Sequence, residues 1–477
     1  MDKKQVLSGI RWTLITSILR RILTFVLFYF IARWLSKEDL GVFRTYSLIL
    51  GFVAVTGILS LDYHYVIEER QKNVSLIALW QISIIAGVLC FFIITFGAGF
   101  LGSLYKSVML GRTFQFASIF LIIEFLRRTV RSVATKRMQF KELAMAETYN
   151  VLFYSVVSII ALYFVRSVWV FLIVFYLGNL FETIYLWVVN RSLIQGKLHI
   201  HLTRKLLLCR VIKKHRSFIS FATLVAIINQ ISGNAPILIL GLLVKPDYLG
   251  IFYFASQLVG VPVGMFTAAI NQVFFPVFAG TKDGDIGNMA SRYLRLVGNL
   301  GLPLLLLFSV ILMYLIGWLF GSKWDEAVSY VPLMFVLFGS SLYINPIGGI
   351  PFVKRKPSWE LTWNIFAFVI RIGAMMLGLQ TSFFMAILAF AAASAVTNIA
   401  FYLMSMHLIK IDLFASTKQV LISLIPTMMY AVFILLIRSL QPLAVLSLSL
   451  LGCGILLCAI NLVSNGLLKA DIKQLLS

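Results

Sequence analysis

The sequence predicts an all-α polytopic membrane protein of about fourteen transmembrane helices, and three observations carry that prediction. Of 477 residues, 60% are hydrophobic and only 12% are charged, whereas a soluble domain is about half apolar and about a quarter charged. The mean hydropathy of +0.95 is that of a chain with too little polar surface to face water. Apolar runs of the ~20 residues that cross a bilayer core recur from one end to the other.

Taken in order, the runs predict spans over residues 11–35, 41–61, 74–101, 108–126, 144–165, 168–190, 217–243, 249–279, 293–320, 327–351, 359–379, 383–409, 418–438 and 443–463. With the N-terminus on the cytoplasmic side, 29 of the 41 Lys and Arg fall in cytoplasmic segments and 7 in outside loops. The other five, Arg20, Arg21, Arg33, Arg44 and Arg371, fall within spans. Such a bias, repeated loop after loop, follows the positive-inside rule and puts both termini in the cytoplasm. The same rule explains the formal charge of +23 without nucleic acid, for which no binding module is present.

The longest connection, 191–216, is basic and reads as a cytoplasmic linker between an N-terminal six-helix lobe (1–190) and a C-terminal one (217–410). Residues 411–477 add helices 13 and 14 and a short cytoplasmic tail. An internal repeat supports the division. Residues 35–51 align with 244–260 at an offset of 209, with Leu40/Leu249, Gly41/Gly250, Phe43/Phe252, Ser47/Ser256 and Gly51/Gly260 identical. A weaker echo pairs 136–145 with 354–363. Both copies of the first sit between the opening two helices of a set, which predicts a parallel repeat about an axis along the membrane normal.

Enzymatic chemistry finds no footing. No loop is long enough for a folded outer domain, and the five histidines lie in loops or at span ends without a Ser/Asp partner pattern. Cys90, Cys209, Cys453 and Cys458 lack metal-ligand spacing, so neither a metal nor another cofactor is expected. Arg20 and Arg21 interrupt the first apolar stretch, which therefore does not read as a cleavable signal.

Residues 11–43, above all A-R-x-L-S-x-E-D-x-G at 32–41, resemble the polysaccharide transporter family of the multidrug/oligosaccharidyl-lipid/polysaccharide flippase superfamily, as does the segment 135–147. Lys37 stands where that family usually has a proline. The resemblance covers essentially the whole chain and implies two helical lobes in the bacterial inner membrane. It also implies translocation of undecaprenyl-diphosphate-linked oligosaccharide units of O-antigen, capsule or exopolysaccharide from the cytoplasmic to the periplasmic leaflet. A polysaccharide polymerase, a chain-length regulator and proton or sodium coupling are the partners such a role implies. Each sugar hydroxyl left unpaired in hydrocarbon costs several kcal/mol, so a transporter needs a wet polar cavity and cations for the diphosphate.

Arg20 and Arg21 lie about nine residues into the first span, roughly 13 Å at the helical rise, too deep to snorkel easily. Thr13, Ser17, Arg20 and Thr24 make one polar stripe. An intramembrane guanidinium suits phosphate oxygens; a structural ion pair with a carboxylate is the competing reading. Arg371, near mid-span on a stripe with Glu360 and Asn364, is the equivalent candidate in the second lobe, and Arg44 lies near the outer end of the second span.

Among the acids, Glu147 shares a stripe with Asn150, and Glu182 follows Asn179 by three residues. Either could carry a coupling ion or simply partner Arg20 or Arg21. Glu124 has Arg128 four residues on, which explains it as a local salt bridge. In the seventh span Asn229, Gln230, Gly233, Asn234 and Pro236 suggest a helix break of the kind that gates or lines transport sites, or a plain kink. Two functional readings compete with the flippase. A multidrug exporter of the related branch would favour an acidic cavity. A membrane-embedded glycosyltransferase or polymerase would need acidic residues in a sizeable outer loop.

Overall fold

The computed structural model describes residues 3–58, 61–67, 73–191, 213, 216–280, 290, 293–344, 347, 350, 357–409, 411–437 and 442–463. Within them the chain is helical throughout and contains no strand. Two compact units are present, Met1–Tyr253 and Phe254–Ser477.

The first unit comprises α1 (Lys3–Trp34), α2 (Lys37–Gly57), α3 (Leu61–Ile67), α4 (Asn73–Leu104), α5 (Val108–Ala117), α6 (Phe120–Lys136), α7 (Phe140–Phe164), α8 (Val168–Val189), α9 (Arg216–Leu243) and the start of α10 (Pro246–Gly280). The second holds the rest of α10, a π-helical turn at Val297–Gly301 and α11 (Leu302–Phe320). The short α12 (Asp325–Val328) and α13 (Val331–Ser341) follow, then α14 (Pro357–Leu379), α15 (Phe383–Leu408), α16 (Leu413–Ile437) and α17 (Pro442–Val463).

Eight of the described helices are long and apolar enough to cross a membrane, and α5 with α6, bent by 55°, makes a ninth if the pair is one span. Their outward residues are apolar: on α4, Leu89, Ile93, Phe96 and Phe100 are all exposed. An apolar band of this extent is lipid-facing surface rather than the scattered apolar exposure of a soluble protein. Expected and observed helix ends agree within a few residues for most elements. Two differences bear on function. The short α3 was not anticipated, and α6 continues ten residues past the expected end of the fourth span at 126. Its charges at Arg127, Arg128 and Arg131, assigned to a cytoplasmic loop from the sequence, are therefore helical and line a cavity.

The bend between α5 and α6 is built from local chemistry. The Ala117 carbonyl left open by the break accepts from the Tyr46 hydroxyl at 2.7 Å, and the hydroxyls of Ser118 and Thr95 pair at 2.7 Å. Around it lies the core of the first unit, where Phe120 stacks on Tyr176 at 4.3 Å and Tyr46 packs on Phe114.

The motif at 32–41 has a physical explanation. Ser36 caps α2 by accepting from the Asp39 amide, and the Asp39 carboxylate accepts from the Ser36 amide at 3.0 Å, a reciprocal capping box. Gly41 then lies so close to the Pro246 carbonyl that a Cβ would overlap it, and Gly250 lies equally close to the Lys37 carbonyl. Each glycine thus meets the residue four before the other.

Candidate functional site

The helical spacing of Glu124, Arg127, Arg128 and Arg131 sets four charges along one face of α6, while Leu121, Phe125, Val130 and Val133 bury the opposite face. The charged face opens on a cavity of about 740 Å³ in the first unit, within the ~300–1,000 Å³ of small-molecule sites. The cavity is closed by residues of α1, α3, α7 and α8, including Arg20, Asp62, Glu147, Asn150, Tyr154, Phe175, Asn179 and Glu182.

Four arginines face four carboxylates here. Arg127 holds Glu124 at 2.8 Å and Glu182 at 3.2 Å. Arg131 bridges Glu182 on α8 and Glu147 on α7 in two close ion pairs. Arg20 donates to Glu147 at 2.8 Å and to the Ala144 carbonyl at 3.3 Å. Arg128 lies 3.7 Å from both Asp62 and Glu124. With every group ionised the lining is formally neutral.

The two acids at the centre are held differently. Glu182 is 1% exposed and accepts from Asn150 at 2.7 Å as well as from both arginines. Asn150 in turn donates to Asn179 at 3.1 Å. A Cβ at Gly178 would overlap the Asn150 amide oxygen and come within 3.1 Å of Tyr154 Cβ, so the glycine is what lets α8 approach α7 at this point. Glu147, by contrast, is 29% exposed and rests only on Arg20 and Arg131 among its ion pairs.

Of the residues singled out from sequence, Arg20, Glu124, Glu147, Asn150 and Glu182 come together in this cavity. Arg21 does not line it. Arg44 lies elsewhere in the unit, where its guanidinium donates to the side-chain Oδ1 of Asn234 at 3.4 Å and lies 5.3 Å from the Tyr253 ring centre. Two expected sites, on the second and seventh spans, thus meet in one contact. The chain stays helical across Pro236 in α9, and Asn234 donates back to the Gln230 carbonyl at 3.1 Å. Asn229 and Gly233 lie outside the described side chains.

In the second unit Arg371 donates from Nε to Thr397 at 2.7 Å and from Nη2 to Asn398 at 2.6 Å, and Asn398 donates on to Ser340 at 3.0 Å. These acceptors are neutral hydroxyl and amide oxygens. Glu360 keeps one buried carboxylate oxygen without a hydrogen bond, and the stripe it shares with Asn364 does not join it to Arg371 through any hydrogen bond among the described residues.

Sequence reasoning missed Arg127, Arg131 and Asp62, and read Arg128 only as the local partner of Glu124, a pair the structure has at 3.7 Å. The arginines carried a usable signal, E-x-x-R-R-x-x-R at one-face helical spacing, but the apolar run ends at 126 and a basic stretch beyond it reads as a loop. Asp62 carried none, because nothing local distinguishes it from any residue in a short connection.

Residues 30–329 match the family described as "Polysaccharide biosynthesis protein". The teichuronic acid biosynthesis protein TuaB of Bacillus subtilis is 22% identical over 76% of this chain and 74% of its own length. The lipopolysaccharide biosynthesis protein WzxC of Escherichia coli is 20% identical over 88% of this chain and 84% of its own. Among solved structures, the lipid II flippase MurJ in an inward closed conformation superposes with a TM-score of 0.66 at 15% identity, covering 95% of this chain and 98% of MurJ. An inward-facing multidrug resistance MATE transporter of the MOP superfamily gives 0.59 at 12% identity, covering 83% and 96%. At these identities the structural likeness is one of fold.

Proposed function

This chain belongs to the polysaccharide biosynthesis protein family, and from that premise we propose that it is a flippase carrying undecaprenyl-diphosphate-linked oligosaccharide from the cytoplasmic to the periplasmic leaflet of the bacterial inner membrane by alternating access. Its relatives act in teichuronic acid and lipopolysaccharide biosynthesis by name, and a lipid II flippase has the same fold. The observation that carries the reading is the cavity of about 740 Å³ containing four arginines, each matched by a carboxylate.

The architecture we assign is fourteen spans with both termini cytoplasmic, in two six-helix lobes (1–190 and 217–410) joined by the basic linker 191–216 and followed by residues 411–477. The reciprocal approach of Gly41 to Pro246 and Gly250 to Lys37 supports the parallel repeat, because a local two-fold axis relates contacts in this way. Bending at Gln230–Pro236 of α9, with Asn229 and Gly233, gates the pathway.

A neutral ion cage has a consequence for mechanism. A free cluster of arginines would bind a diphosphate tightly and release it slowly, whereas here the arginines already hold anions. Glu147 is the displaceable one: it is partly exposed and has no buried amide anchoring it. The diphosphate takes its place on Arg20 and Arg131, and Glu147 returns on release. Glu182 stays put and keeps α6, α7 and α8 in register. Further head-group contacts are assigned within each unit by itself: Arg21 and Arg44, with Glu124 and Asn150, in the first, and Arg371, with Glu360 and Asn364, in the second. Two negative charges moving outward across an inside-negative membrane release about 4–5 kcal/mol per 100 mV, enough to bias transport, with a proton or sodium ion on Glu147 as the alternative drive. No catalytic step is needed.

The test is binding of farnesyl diphosphate, a soluble polyprenyl diphosphate, to the purified chain, together with outer-leaflet exposure of the lipid-linked sugar in spheroplasts. Arg131→Gln should weaken binding about tenfold or more and abolish exposure. Glu147→Gln should tighten binding yet slow exposure, since the returning anion is gone. Unchanged exposure in Arg20→Gln/Arg131→Gln protein that folds normally would remove the cavity from the pathway.

A further inference from the structure

We propose that a groove at the α4–α5 turn is a binding site for an anionic phospholipid, separate from the transport cavity. The groove has a volume of about 440 Å³ and is lined by Gly99, Gly102, Ser103, Lys106, Ser107, Val108, Gly111, Arg112 and Gln115. Its electrostatics are the reverse of the ion cage. Two cations line it, no carboxylate does, and neither Lys106 nor Arg112 takes part in an ion pair among the described residues.

Its position is that of a headgroup site. Leu76–Leu104 is apolar enough to cross a membrane and ends at the groove, where the bent pair α5–α6 begins, so the turn lies at a membrane–water boundary. Below it, the exposed rings of Phe96 and Phe100 on α4 and of Phe116 on α5 offer acyl chains an apolar wall. A phosphate therefore meets cations and hydroxyls at the turn while its chains stay in hydrocarbon.

The turn is also built to keep the groove open. A Cβ at Gly102 would stand 2.9 Å from Gly111 Cα, so the paired glycines bring the two helices into close contact. One turn below, a Cβ at Gly99 would meet nothing within 4 Å. Lys106 has a φ of 50°, the left-handed region, which ends α4 and turns the chain into the Ser107 cap of α5. Charge decides the lipid class: two unpaired cations with no acid beside them select an anionic headgroup over a zwitterionic one. Each near-surface cation adds about fivefold in affinity for an anionic lipid.

The test uses the purified full-length chain and counts lipids retained in native mass spectrometry after titration with phosphatidylglycerol or phosphatidylcholine. The wild type should retain phosphatidylglycerol selectively. Lys106→Gln/Arg112→Gln should bind it about 30-fold more weakly, by the same per-cation factor. Gly99→Leu, at a groove-lining position where a Cβ meets nothing within 4 Å, should also lose it. Arg166→Gln, an exposed cation at the α7–α8 turn outside the groove, should leave retention unchanged. Equal retention by wild type and the double variant, equal retention of the two lipids, or the same loss in Arg166→Gln would overturn the site. Displacement by free glycerol phosphate, or by farnesyl diphosphate at lower concentration than phosphatidylglycerol requires, would overturn it too, assigning the groove to a soluble phosphate or to the carrier lipid.

Discussion

Removing the charge from Glu182 should damage the fold, whereas removing it from Glu147 should not. Glu182 is 1% exposed and accepts from Arg127, Arg131 and Asn150. In Glu182→Gln one carboxylate oxygen becomes an amide that must face an arginine donor, and two guanidinium groups lose their buried counter-charge. Breaking one side of a buried pair costs about 3–5 kcal/mol. Glu147 is 29% exposed, so water screens its pairs with Arg20 and Arg131, and its loss costs at most about 1 kcal/mol. For a unit of about 250 residues each kcal/mol moves Tm by about 2–4 °C. Glu182→Gln should therefore lower the melting temperature of the purified protein by about 6–20 °C, and Glu147→Gln by no more than about 4 °C. The reading is checked by thermal unfolding of both variants in one detergent. Adding Arg131→Gln to Glu182→Gln should recover part of the loss, since the stranded cation goes with it. Melting temperatures that fall together for the two single variants would refute the division of roles.

Other perturbations reach the same architecture from different sides. Gly178→Ala forces a methyl into the Asn150 amide; it should cost about 1–3 kcal/mol by overpacking, seen as a lower Tm and as faster amide exchange at the α7–α8 contact. Gly41→Ala and Gly250→Ala each push a Cβ onto a backbone carbonyl that cannot rotate away, and each should lower folded yield in size-exclusion chromatography more than Gly97→Ala, whose Cβ meets nothing within 4 Å. Arg371→Lys keeps the charge but cannot span Thr397 and Asn398 with one planar fork. It should reduce transport severalfold in the spheroplast assay, and an effect no larger than that of Arg33→Lys would count against a role for Arg371.

How much of this was legible beforehand depends on the range of the interaction. Helix positions follow from apolar runs, because a bilayer core imposes one length on every span, and the expected 168–190 and 383–409 differ from α8 and α15 by a residue at one end. The motif at 32–41 was legible as a family mark, but its cause was not. The cap is local to Ser36 and Asp39, yet the glycine is required by a carbonyl 205 residues away, at Pro246. At the site, Arg20 and Glu147 stood out because a charge inside an apolar run is conspicuous. Arg127 and Arg131, and any role of Arg128 beyond its local pair with Glu124, were hidden by the opposite logic: just beyond an apolar run, basic residues are what the positive-inside rule expects. Only the continuation of α6 to Lys136 turns them inward.

That misplacement changes the electrostatic reading of the whole unit. Counted from the apolar runs alone, the cavity sets one arginine, Arg20, against Glu124, Glu147 and Glu182, an excess of acid that would repel a diphosphate. With α6 followed to Lys136, Arg127, Arg128 and Arg131 match those acids and Asp62, and with every group ionised the cavity lining is neutral before any substrate enters. Neutrality suits a carrier better than a net charge does. A carrier must return empty through the same membrane potential that drives its loaded step, and a net buried charge would be pulled by that field on the way back, at about 2.3 kcal/mol per charge for 100 mV. With Glu147 seated on Arg20 and Arg131 the empty cavity moves no net charge. Under the proposed exchange, a diphosphate seated there instead would give the loaded form net negative charge that the field pushes outward. Under that proposal the field would act on the step that carries cargo and spare the one that does not.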